Sequence, residues 1–124
     1  NLFTMLKDED VIEIYNHDFV QVFRNLNFFT VSSYSFAELM HYEYPELFER
    51  PEHINRQLMA LAKEIFSVKI REAVPTGLPV HEAREIFSAD RHVATMNNRL
   101  LSPLFRGPAQ VEGLLVVLQV RIDR

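Results

Sequence analysis

The chain of 124 residues has no cysteine, no tryptophan, only three glycines and no long apolar run. Without cysteine it can build no disulfide framework, no thiolate nucleophile, no cysteinyl–flavin adduct and no thiolate-ligated zinc or iron–sulfur centre. Its longest apolar stretch, Leu114–Leu118, falls far short of the roughly 20 residues that cross a bilayer as a helix. The first residues lack the basic start and apolar core of a secretory signal. A net charge of −4 argues against direct nucleic-acid binding, which relies on clustered Lys and Arg. The expectation is a cytoplasmic protein with no membrane span. No G-x-x-x-x-G-K-[ST] or G-x-G-x-x-G stretch offers a phosphate cradle.

What is present is an ordinary globular composition, 48% hydrophobic, enough for one core in one domain without covalent staples. Residues 1–9 carry Leu2, Phe3, Met5 and Leu6 ahead of a charged patch, and read as a short helical or turn segment before a single domain over residues 10–124. Val11–Tyr15 and Phe19–Phe23 are β-branched and aromatic, which predicts a hairpin broken at Asn16-His17. Ser35 and Glu38 have capping-box spacing, so a short helix should start there and run to about Met40. Pro45–Phe48 suggests one further turn. Pro51 suits the first position of a long helix, and Ile54, Leu58, Leu61 and Ile65 recur as an amphipathic stripe, predicting a helix to about Ile70. Val80–Phe87, His92–Leu101 and Val111–Ile122 read as three strands joined by short linkers, an antiparallel meander. The expected fold is α+β: a five-stranded antiparallel sheet with short helices and one long helix on one side.

This order and one local pattern resemble PAS domains. Asn25, Phe28 and Val31 fall at the intervals of the Asn-x-x-Phe step, followed by Ser33 in the place of a glycine and then Tyr34, Ser35, Glu38 and Leu39. Thr76-Gly77-Leu78-Pro79-Val80 resembles the step before the third PAS strand, Pro103 the close of the fourth, and Asp123 the end of the last. The resemblance implies a sensory or interaction module of a larger bacterial signalling or transcription-regulatory protein. Such a module senses a small molecule or partner and relays it to an effector after the C-terminus.

The chemistry-bearing residues fit that reading better than catalysis. The five histidines share no metal-binding spacing. His53, on the long helix, is where some PAS sensors hold haem, but here it reads as a first-turn surface residue, so haem is not expected and the cofactor stays unspecified. Ser32, Ser33 and Ser35 have no G-x-S-x-G around them, and the expectation is not an enzyme. His81 reads as solvated. The resemblance places a cavity between long helix and sheet, with Tyr34, Leu39, His53, Gln57, Leu61, Leu115, Val117, Gln119 and Arg121 as candidate lining residues, the last four on the face of the final strand that shares the parity of Asp123.

The final strand is apolar on both faces, so the face away from the helix needs a cover. A homodimer follows as an expectation, its interface formed by Leu2, Phe3, Leu6, Leu114, Val116, Leu118 and Val120. The alternative reading is a homodimerisation module with a filled core and no ligand.

Overall fold

The computed structural model describes residues 2–32, 34–35, 37–38 and 47–123. Its first element is α1, Leu2–Met5. Strands β1, Val11–Tyr15, and β2, Gln21–Arg24, then form an antiparallel hairpin. The turn is built by Asn16, whose Oδ1 accepts the amides of Asp18 (2.9 Å) and Val20 (3.1 Å). No glycine is available, and Phe19 takes the left-handed conformation instead, with φ of 61°. For that reason β2 starts at Gln21, two residues later than the composition suggested. The Phe19 ring is turned onto Phe66, edge to face at 5.7 Å.

Helix α2, Leu26–Val31, follows directly. Asn25 does not cap it. Its side chain works as a piece of strand: Oδ1 accepts the Ile12 amide at 3.1 Å and Nδ2 donates to the Asp10 carbonyl at 2.9 Å. The capping box forms, with the Ser35 amide donating to Glu38 Oε1 (2.8 Å) and the Glu38 amide to Ser35 Oγ (3.1 Å). The helix expected to run on to Met40, and the first half of the turn expected at Pro45–Phe48, lie outside the described residues.

Phe48–Glu49 is not a helical turn but a short strand, β3. Helix α3 spans Glu52–Phe66 behind Pro51, and buries Ile54, Ala62 and Ile65. It stops at Phe66 rather than near Ile70, because Val68 has φ of 61° and the Ser67 amide turns back to the Lys63 carbonyl. The remaining strands are β4 (Val74–Pro75), β5 (His81–Glu85), β6 (Val93–Phe105) and β7 (Val111–Asp123).

Among the described residues, all seven strands form one antiparallel sheet in the order β2-β1-β7-β6-β5-β3, with β4 also on β6, and the sheet curls into a half-barrel. This corrects the expected architecture. The molecule is mostly antiparallel sheet, not a five-stranded PAS-like sheet beside short helices and one long helix. Two of the extra pairings involve strands of two residues, too short for any hydrophobic period to show. β5 covers only Val93–Met96 of β6, which leaves the edge at Leu100–Leu101 free for β4. Pro103 does not close a strand: it lies inside the long β6–β7 hairpin opposite Leu114.

β7 is central and packs on both faces. Leu114, Val116 and Leu118 face α3 with Val11, Tyr15, Met96 and Leu101, and form the main core. Leu115 and Val117 point the other way, with Leu100, against Leu2, Met5, Leu6, Ile12 and Ile14. A register shift in β6 between Asn98 and Leu100 re-aims that strand, so that Asn98 and Leu101 both face the α3 side. Among the described residues, no helix is long and apolar enough to cross a membrane.

Candidate functional site

Between α3 and the sheet lies a cavity of about 90 Å³. Leu58, Met59 and Ala62 of α3 form its roof, and Leu101, Leu114 and Val116 its floor. Phe19, Tyr15, Glu13 and Asn98 complete the wall. The space reaches the surface beside Met59, which is 42% exposed. An apolar hollow with a few convergent polar groups is the usual form of a small-molecule site.

Glu13 stands on the buried face of β1 between Val11 and Tyr15 and is 2% exposed. Its oxygens are both occupied: the Tyr15 hydroxyl donates to Oε1 at 3.2 Å, and Gln21 Nε2 donates to Oε2 at 3.0 Å. Gln21 Nε2 also reaches the Tyr15 oxygen at 2.7 Å. Burial pushes the Glu13 carboxyl above the usual carboxylate range, and the guanidinium of Arg50, the two hydrogen bonds and Arg24 only partly oppose this.

Asn98 differs. It is 3% exposed, and its Oδ1 has no hydrogen-bond partner. Its backbone is pinned from the side, since the Thr76 hydroxyl donates to the Asn98 carbonyl and the Thr76 amide donates to the Arg99 carbonyl at 3.1 Å. The cavity therefore has one polar wall, where Glu13, Tyr15 and Gln21 bond one another although Gln21 Oε1 is unmatched, and one amide on a held backbone, Asn98, whose oxygen is unmatched.

Three other polar clusters brace the fold away from the cavity. The Tyr34 hydroxyl donates to the Leu47 carbonyl and accepts the amides of Ile86 (3.1 Å) and Phe87 (3.0 Å), tying Leu47, just before β3, to the end of β5. Glu85, fully buried, accepts the His92 amide at 3.0 Å and the Ser88 hydroxyl at 3.2 Å, which closes the β5–β6 turn. Asp10 pairs with Arg99 at 2.7 Å, and Arg99 also donates to the Met5 carbonyl, so α1 is latched to β6.

The candidates read from the sequence are not brought together. Tyr34 is buried but serves as the brace just described. His53 and Gln57 are exposed on α3, and Leu61 is half-buried beside the main core. Leu39 lies outside the described residues. Leu115 and Val117 belong to the opposite face, under α1. Gln119 and Arg121 share that face near its rim, where Gln119 donates to Glu9 at 3.3 Å and Arg121 is exposed. His81 is buried rather than solvated, and burial lowers its pKa.

The interface set moves in the opposite sense. Leu114, Val116 and Leu118 are 5%, 7% and 2% exposed beneath α3, with Val120 packed against the same core, and present no face to a partner. The other β7 face, widened by Ile12 and Ile14 beside it on β1, is covered by Leu2, Met5 and Leu6. The Phe3 side chain, also expected there, lies outside the described residues.

Sequence reasoning missed Glu13 and Asn98. Glu13 did leave a signal, a single acid at the parity of Val11 and Tyr15, but a charge at that place reads as solvent-facing. No protein-family model, curated protein or solved structure matches the chain, so the site stands on its own geometry.

Proposed function

We propose that the chain is a small-molecule-binding module, and that the molecule occupies the cavity beneath α3. The observation that carries this reading is Asn98, a lining residue whose buried Oδ1 has no partner, in a cavity wall that is apolar apart from it and the mutually bonded Glu13 and Tyr15. A buried amide oxygen without a partner costs stability, and binding a ligand that supplies the missing donor removes that cost. The single carboxyl in the wall, Glu13, is committed to Tyr15 and Gln21, which favours binding over catalysis.

The setting that goes with this reading is a sensor within a larger cytoplasmic regulatory protein. Occupancy would be relayed through β7, which floors the cavity and pairs with both β1 and β6. Homodimerisation is not needed for it, because α1 already covers the second face of β7.

The test is an amide-resolved NMR titration with toluene as an apolar probe. Saturable shifts should cluster at residues 13–15, 58–62, 98–101 and 114–116, and disappear in Ala62→Met, which fills the roof. A wild-type spectrum unmoved by toluene up to its solubility limit would overturn the reading.

A further inference from the structure

We propose, resting on the reading that this cavity binds a small molecule, that its ligand is a small neutral molecule bearing one hydroxyl, an alcohol or a phenol. Its O–H pairs with the Asn98 carboxamide, and its apolar body lies against Leu58, Ala62, Leu101 and Leu114.

Size comes first. A dry cavity of about 150 Å³ encloses a benzene ring. A cavity of about 90 Å³ with an opening at Met59 therefore holds most of one ring or a short chain, with the remainder at the mouth. The shape admits one polar head and one compact apolar body.

The head is set by Asn98. Its Oδ1 is buried and lacks a donor, and Thr76 holds its backbone carbonyl and that of the next residue, Arg99. A buried side chain on a held backbone has little freedom left to lose, which reduces the ordering cost of binding. A carboxamide both accepts and donates. A hydroxyl does the same with a single atom, so it satisfies the oxygen and also fits beside the nitrogen.

Charge is excluded by the opposite wall. Tyr15 and Gln21 each engage one oxygen of Glu13, so a cationic head would have to share or displace those bonds. Arg50, in the loop after β3, and Arg24, at the end of β2, already act on Glu13 electrostatically, so an added cation gains less from that carboxyl. The burial that pushes the Glu13 carboxyl up penalises an anionic ligand as well. What remains is a neutral head.

Three single-ring probes of nearly equal size test this by NMR titration: phenol, toluene and benzylammonium. Without a partner for its hydroxyl, phenol would bind more weakly than toluene, because its O–H must leave water unrewarded. The expected result is the reverse. Phenol binds wild type at least tenfold more tightly than toluene, and benzylammonium at least tenfold more weakly than phenol. In Asn98→Leu the preference inverts in favour of toluene, and Asn98→Ala gives the same inversion should the leucine variant be misfolded by circular dichroism. If none of the three probes binds wild type, the cavity reading itself fails. If toluene binds as well as phenol, the cavity reading stands and the hydroxyl ligand is overturned. Retention of the phenol preference in both Asn98 variants, or benzylammonium binding as tightly as phenol, overturns it too.

Discussion

Replacing Asn98 by leucine should make the empty protein more stable. Most substitutions of a buried residue destabilise, commonly by about 0.5–3 kcal/mol, so a gain is a discriminating result. The reasoning rests on Oδ1, which is buried without a partner on a residue 3% exposed. An amide group held in apolar surroundings without its hydrogen bond costs about 1–3 kcal/mol. Leucine has a similar length, removes that cost, and adds apolar contact with Leu101 across adjoining free space, so overpacking is not expected. The hydrogen bond from Thr76 is to the backbone carbonyl and is untouched. The expected gain is about 1–3 kcal/mol, seen in urea as a higher midpoint at unchanged slope, and as a rise in Tm of about 3–5 °C per kcal/mol for a chain of this size. The same change should abolish hydroxyl recognition, which makes Asn98 a residue kept for binding at the expense of stability. A loss of 1 kcal/mol or more in Asn98→Leu would refute the argument, for it would mean that the amide is satisfied in the empty protein.

Other consequences follow from the packing and the buried acids. Tyr34→Phe removes one donor and one doubly used acceptor that tie Leu47 to Ile86 and Phe87, and should cost about 2–4 kcal/mol by urea unfolding; a cost below about 0.5 kcal/mol would mean that water replaces the brace. Val116→Glu places an unpaired carboxylate under α3 and should leave the chain without a cooperative unfolding transition at neutral pH, whereas a well-folded variant would mean that this face is open to solvent. Glu13 has a folded pKa above its ordinary 4.5, so the native state keeps the proton to higher pH than the unfolded chain does. Wild-type stability then falls as pH rises through the interval above 4.5, by at most about 1.4 kcal/mol per pH unit. Glu13→Gln cannot titrate, and its stability relative to wild type should climb between pH 4 and pH 8; a flat difference would contradict the buried acid.

How far the sequence disclosed this molecule differs from element to element. The capping box at Ser35 and Glu38 and the stripe on α3 were legible because each follows from local spacing. The start of β2 was not, because Phe19 occupies a left-handed position that composition assigns to glycine. The face of β7 was legible in principle. Leu114, Val116, Leu118, Val120 and Ile122 form an unbroken apolar set, whereas the alternate set ends in Gln119 and Arg121. The longer apolar set belongs against the larger core and the set with a polar end at the rim, and orienting the strand from Asp123 inverted both. A strand has only two faces, so that one inversion exchanged the proposed pocket residues with the proposed interface residues. Glu13 and Asn98 were illegible for a different reason: polar residues on core-facing positions violate the pattern from which cores are read, and such violations concentrate at functional sites.

The most direct test of the central claim is a crystal structure of the protein under xenon pressure, since xenon enters dry apolar cavities and leaves hydrated polar ones. The account predicts a xenon atom beneath α3, in contact with Leu58, Ala62, Leu101 and Leu114. A space closed by the Leu58 and Met59 side chains, or one filled by ordered water bonded to Asn98 and Glu13, would contradict it.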